Sequence, residues 1–328
     1  MLFCCASVCI IFRALTRIRA VLHEGVVDGM EGKEVLSQEY VVMILTGILT
    51  GMIARVITLY VDYRQTPTYP NGLFNNLVTG FVASALGAVA IPALIEQDFT
   101  AITFLALATQ HFRDIRKTEG ESLAKLDHVG YTKRGPAYID GIAKTYEARH
   151  YVSLAAAVAA VLCMNLLGGQ ALLVQIAAGV AAGLAVTLLI KHFTKGKAVG
   201  DICTIKEGKI RVEGSELYVD DMFVTSVLGT TRSKDLFLRE GIAVVVTPKS
   251  DQFRVTLDSL GQRQAMLFEA CRSLGVKRFQ FTRKNYKNGV ILIAIVPIVR
   301  DVGKMIHAVA NTPILENSRK IRRIMTAG

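Results

Sequence analysis

A chain of 328 residues that is 52% hydrophobic and only 20% charged is too apolar for an average soluble protein. Aromatic residues make up 7% and Trp is absent, so the surplus is aliphatic and small, the composition of tightly packed membrane helices. The formal charge of +11 does not point to nucleic acid: the excess cations flank the apolar segments, where they set topology and touch anionic headgroups, and few aromatic residues interleave with them.

The first element, Met1 to Phe12, is apolar but too short to span a bilayer. Arg13, Arg17 and Arg19 follow it, the reverse of a secretory signal, so residues 1–38 are expected as an N-terminal extension, with Met30 as an alternative start. Residues 39–110 hold the first membrane helices. Glu39 to Val61 is a strong span in which Gly47 and Gly51 permit close helix approach. Arg55 is its single charge, and it is either functional or snorkelling toward the Asp62 end. Leu73 to Ile95 is a second span, with Asn75 and Asn76 at its entry, Gly80, Ser84 and Gly87 along it, and Pro92 set to kink or end it. Phe99 to Ala108 is too short to cross alone and reads as a short span, a re-entrant piece or a surface helix.

Residues 111–150 read as a polar loop. Arg113, Arg116, Lys117, Lys125, Lys133, Arg134, Lys144 and Arg149 give it the positive-inside signature of the cytoplasmic side. Residues 151–190 form a predicted helical hairpin, Tyr151–Leu167 and Ala171–Ile190, turned by Gly168-Gly169-Gln170. Its small residues predict tight packing, and Lys191, Lys195 and Lys197 return the chain to the cytoplasm. Residues 191–328 change to a soluble pattern. Short antiparallel strands around Lys209–Val212 and Leu217–Val219 precede a strand (Ile242–Thr247), a helix (Ser259–Leu274) and a strand with inward Phe279 and Phe281. A turn at Asn288-Gly289, a strand (Val290–Val296), a helix (Val299–Ala310) and a basic tail complete the domain. The expected fold is an α-helical multi-pass membrane domain of four to five spans, followed by a small cytoplasmic α+β domain whose order matches part of a ferredoxin-like sandwich.

The densest run of aromatic, acidic and basic groups lies between the two apolar blocks: Tyr138, Ile139, Asp140, Gly141, Ile142, Ala143, Lys144, Thr145, Tyr146, Glu147, Ala148 and Arg149. As a helix, opened by Gly135-Pro136, it puts Ile139, Ile142, Ala143 and Tyr146 on one apolar stripe and Asp140, Lys144 and Glu147 on a neighbouring face. One reading is an amphipathic helix lying on the membrane with solvated charges. The other is a polar constellation, Asp140, Lys144, Glu147 and Arg149, that docks a partner or ligand at the cytoplasmic membrane face. The hexapeptide Tyr138 to Ala143 resembles the signature of the YIEGIA family of endospore-forming bacteria, over the chain from about Glu39 onward. It departs from the family's name at Asp140, where the name has glutamate. The resemblance implies a multi-pass membrane protein linked to sporulation.

Catalysis has little support in the residues. Gly-x-Ser-x-Gly, His-Glu-x-x-His, Gly-x-x-x-x-Gly-Lys and Gly-x-Gly-x-x-Gly are all absent. Asp220-Asp221 reads as an ordinary turn. His111 and Asp114 share a helical face, but two ligands do not make a metal site. The six cysteines, with no Cys-x-x-Cys among them, read as reduced and structural, and no cofactor is expected. The leading expectation is a sporulation-associated scaffold or regulator that contacts membrane lipids and a protein partner. The alternative is a membrane-anchored hydrolase or protease using acidic residues of the motif region.

Overall fold

The computed structural model describes residues 38–62, 70–95, 99–194 and 196–316. The N-terminal extension, Lys195 and the basic tail beyond 316 lie outside them. All contacts given below fall within the unit Met43–Gly328; of the preceding unit, Met1–Val42, the described part is the first turn of a helix.

Five long helices come first: α1 (Gln38–Asp62), α2 (Pro70–Ile95), α3 (Phe99–Val129), α4 (Pro136–Leu166) and α5 (Leu172–Thr194). Four contain segments long and apolar enough to cross a membrane: Glu39–Leu59, Phe74–Ile95, Pro136–Leu166 and Leu172–Thr194. Pro92 lies inside α2, a turn before its end. The stretch expected as a loop, residues 111–150, is instead mostly helix. The polar half of α3 and the start of α4 fill it, joined by a short connection at 130–135.

Contacts along α4 fix the direction of every neighbour. Gly47 of α1 lies by Val161, and Arg55 lies by Tyr146, so α1 runs antiparallel to α4. Asn76 of α2 meets Arg55, while Gly87 meets Leu154, so α2 runs parallel to α4. Phe112 of α3 stacks on His150, while Leu123 packs with Tyr138 and Ile139, so α3 is antiparallel. Gly179 and Gly183 of α5 lie against Met164 and Ala156, antiparallel again. Phe99 is thirteen residues before Phe112, about 20 Å of rise. The first part of α3 therefore runs beside the apolar half of α4.

The bundle is closed by missing side chains rather than by large ones. A Cβ on Gly51 would lie 2.3 Å from Ser84 Cβ and 2.8 Å from the Ser153 carbonyl oxygen. One on Gly87 would lie 2.4 Å from the Leu154 carbonyl oxygen. Helix backbones in lipid approach this closely only over glycine, which is how dispersion contacts accumulate where hydrophobic burial gives no drive.

The rest is an α+β module: α6 (Val199–Ile202), β1 (Cys203–Glu207), β2 (Ile210–Glu213), β3 (Glu216–Val219), β4 (Met222–Thr225), α7 (Thr231–Glu240), β5 (Ile242–Pro248), α8 (Asp251–Asp258), α9 (Leu260–Leu274), β6 (Gln280–Lys284), β7 (Ile291–Ile295) and α10 (Val302–Ala310). One sheet has the order β1-β5-β7-β6, antiparallel throughout, and a second has the order β2-β3-β4. Alternation sorts β7 to two faces. Ile291, Ile293 and Ile295 join Met266, Leu274, Met305 and Val309 of α9 and α10. Leu292 and Ala294 join Leu217, Val219 and Phe237 of the small sheet and α7. Covered on both sides, β7 is buried at every position. Phe279 and Phe281 stack on Phe237, inward as expected. Asp220-Asp221 is the β3–β4 turn.

Candidate functional site

The connection between α3 and α4 is shaped by one carboxylate. Asp127 accepts hydrogen bonds from the backbone N–H of Arg134 at 2.7 Å and of Gly135 at 3.3 Å. Gly135 takes φ +84°, a conformation that glycine adopts without strain, and Pro136 then opens α4 with its φ already helical. The hexapeptide is therefore the first two turns of α4, continuous with the apolar helix. It does not lie as a separate amphipathic helix before it.

Two faces of those turns face different partners. Tyr138, 3% exposed, donates from its hydroxyl to Glu269 Oε1 at 2.6 Å and meets the Phe268 ring edge-on. Ile139 and Ile142 pack with Leu123 of α3, Ala265 of α9 and Leu315. Gln262 fixes the segment that carries Leu315: it donates to the Pro313 carbonyl and accepts from the Leu315 N–H at 2.8 Å. The 130–135 connection rides on the same module. Tyr131 donates to the Arg278 carbonyl, Thr132 to Gln280, and Gln264 to the Lys133 carbonyl. The motif thus joins the long helices to the α+β module.

On the neighbouring face Asp140 accepts from Arg116 at 2.9 Å and from Lys144 at 2.8 Å. Lys144 also pairs with Glu316 at 2.7 Å, and Arg116 with Glu147 at 3.4 Å. The hydrogen bond that Arg116 donates to Asp140 holds its guanidinium above its ordinary pKa. Asp140, Lys144 and Glu147 are brought together as the spacing suggested. Arg116 and Glu316, which the spacing could not reveal, complete the chain of charges. Arg149 is not part of it. It is buried, 7% exposed, in a second layer with Arg55, Tyr146 and His150.

In that inner layer Arg55 is fully buried. It donates to Asn76 Oδ1 at 3.0 Å and lies 5.3 Å from the Tyr146 ring centroid. The guanidinium is directed toward α2 and α4 and sits over an aromatic face, which favours a cation. His150 Nδ1 lies 2.9 Å from the Tyr146 carbonyl and donates to it, while its ring stacks on Phe112. Among the described thiols outside the long helices, burial pushes Cys203 up to about 12 and Cys271 up to about 11, which disfavours the reactive thiolate at both. Among the described residues no group of three His, Cys, Asp or Glu is placed to hold a metal ion.

Between α3 and α4, over Asp140 and Glu147, lies an open groove of about 640 Å³. Gly120, Ala124 and Ala143 floor it, and Arg113, Lys117 and Lys133 stand along its rim.

A bundle of long apolar helices, joined to an α+β module through a helix that starts Tyr-Ile-Asp-Gly-Ile-Ala, defines the class. The chain belongs to the YIEGIA protein family, whose profile matches residues 43–324. It is similar to the uncharacterized protein YphB of Bacillus subtilis (strain 168), with 33% identity over 287 residues that cover 85% of this chain and 94% of that relative. No solved structure matches.

Proposed function

We propose that the protein is a non-enzymatic scaffold or regulator of spore formation, held in the membrane and acting through its α+β module and the motif region on a protein partner. The observation that carries this reading is where the motif's polar groups go. Tyr138 is spent on Glu269, and Asp140 and Glu147 are spent on Arg116 and Lys144. Burial alone would raise the Asp140 carboxyl, but the hydrogen bonds from Lys144 and Arg116 outweigh it and hold the group below its ordinary range, so it is stabilised as an anion and is a poor proton donor or acceptor. The same contacts suit a joint that sets the module's position against the membrane. The spore-forming source of the relative supports the cellular setting.

In this reading the chain crosses the bilayer five times, with the first part of α3 as the short crossing, and the module lies in the cytoplasm. Support comes from the alternating helix directions and from Arg113, Arg116, Lys117, Lys125, Lys133 and Arg134 on the module's side of the bundle. We read the module as a ferredoxin-like sandwich whose last strand is supplied from the N-terminal side, a reading supported by the order β1-β5-β7-β6 with α9 leading from β5 to β6 around β7.

The test replaces Asp140 by Asn and Glu147 by Gln in sporulating cells, then compares protein level, crosslinked partners and sporulation. A scaffold loses captured partners at unchanged abundance. Accumulation of an uncleaved substrate, with partners retained, would instead favour a hydrolase that uses these carboxylates.

A further inference from the structure

The groove between α3 and α4 is not accounted for by a joint. Its three carboxylates are committed: Asp127 to the backbone of the connection, Asp140 to Arg116 and Lys144, and Glu147 to Arg116 and the Tyr151 hydroxyl. Arg113, Lys117 and Lys133 are exposed, and no carboxylate pairs with them among the described residues. The rim therefore keeps an uncompensated positive charge over a floor too small and apolar to neutralise it.

Its depth points to the occupant. Arg113 directly follows Phe112, which packs on His150 and Tyr151, where the apolar run of α4 begins. Arg113 and Lys117 are one helical turn apart on the face that lines the groove, about 6 Å along the axis. A bilayer's polar layer is about 5–8 Å deep on each side, so both cations fall within it when Tyr151 sits at its inner edge. Lys133, near the start of α4, lies beyond that layer.

We infer that the α3–α4 groove is a binding site for the phosphate of an anionic phospholipid, held by Arg113 and Lys117. Arg113 supplies a planar two-pronged donor to two phosphate oxygens, and Lys117 supplies a point charge beside it. The site rests on the placement of this end of the bundle at the bilayer surface, and it does not depend on the identity of a protein partner.

The experiment uses the full chain purified in a neutral maltoside detergent and follows its thermal melting during titration. The probes are dihexanoyl phosphatidylglycerol, dihexanoyl phosphatidylcholine and inorganic phosphate. The expected result is saturable stabilisation by the glycerol lipid alone. R113A/K117A should weaken it roughly tenfold or more, since each cation near a lipid surface contributes appreciably. R113K/K117R should largely restore it, and K133A should change it less than about threefold, as expected of a group outside the headgroup layer. The control K206A/R232A, exposed cations of the α+β module, should leave it unchanged. Equal stabilisation by the choline lipid, equal loss in the control, or full replacement by inorganic phosphate would each overturn the assignment. Because no partner is present, failure here leaves the scaffold reading to its own crosslinking test.

Discussion

At Asp140 the chain has the shorter acid where the family's name has glutamate, and this is the motif side chain with the most room. Its carboxylate is 46% exposed and lies between Arg116 and Lys144. Both partners are flexible cations, so an added methylene can be absorbed by small rotations. Asp140→Glu should therefore leave thermal stability within about 0.5 kcal/mol, while Asp140→Lys gathers three cations and should be destabilising, more so at low salt than at high. Tyr138 is the opposite case. Its hydroxyl is buried against a carboxylate that Arg272 also pairs. Tyr138→Phe removes a hydrogen bond to a charged group at no gain in packing, for a loss of about 1.5–3 kcal/mol in a melting experiment. Glu269→Gln combined with it should lose less than the sum of the two single changes, because the two groups share one contact.

At the scale of elements, the glycines separate into two kinds. Gly87 has the Leu154 carbonyl 2.4 Å from where a Cβ would be, a backbone atom that cannot rotate away. Gly87→Ala must push α2 off α4, and overpacking of this sort costs about 1–3 kcal/mol. The motif's own glycine is not of this kind. A Cβ on Gly141 would lie 3.7 Å from Leu315, an ordinary contact. Gly141→Ala should be neutral or stabilising by up to about 1 kcal/mol, the difference in helix propensity. Melting of the two variants side by side checks both. Hydropathy alone made the spans and the tight α4–α5 turn legible, because twenty apolar residues in a row have few other uses. It missed that α3 continues as a helix past Ala108 and that the motif helix runs unbroken into the following span, since charge density over residues 111–134 mimics a loop although Arg113, Arg116, Lys117, Gly120 and Ala124 share one helical face. It also missed α7, a ten-residue helix whose signal reduces to Thr230 as its cap and Phe237 as its one buried residue. The stripe of Ile139, Ile142 and Tyr146 was readable from spacing. The counterparts of its two isoleucines, Ala265 and Leu315, were not, for nothing local links residues more than a hundred positions apart.

At the scale of the whole molecule, the question is how many times the chain passes through the bilayer, because that decides which side the motif's surroundings face. Length and composition select four helices. The proposed reading adds a fifth passage, because α3 leads from the end of α2, which runs with α4, to Phe112 at the level of His150. Phe99 to Phe112 covers about 20 Å, less than the roughly 30 Å of a hydrocarbon core. Local thinning and the neighbouring helices make up such a shortfall at modest cost per ångström. Reporter fusions resolve the two counts. With five passages, a reporter inserted between α2 and α3 and one at Gly169 both report the outer side, while insertions at Lys133 and after Lys197 report the inner side. With four, the α2–α3 reporter moves inside and the other three keep their sides. That one change of sign would put α3's apolar start back on the surface and would remove the bilayer level on which the headgroup site at Arg113 and Lys117 depends.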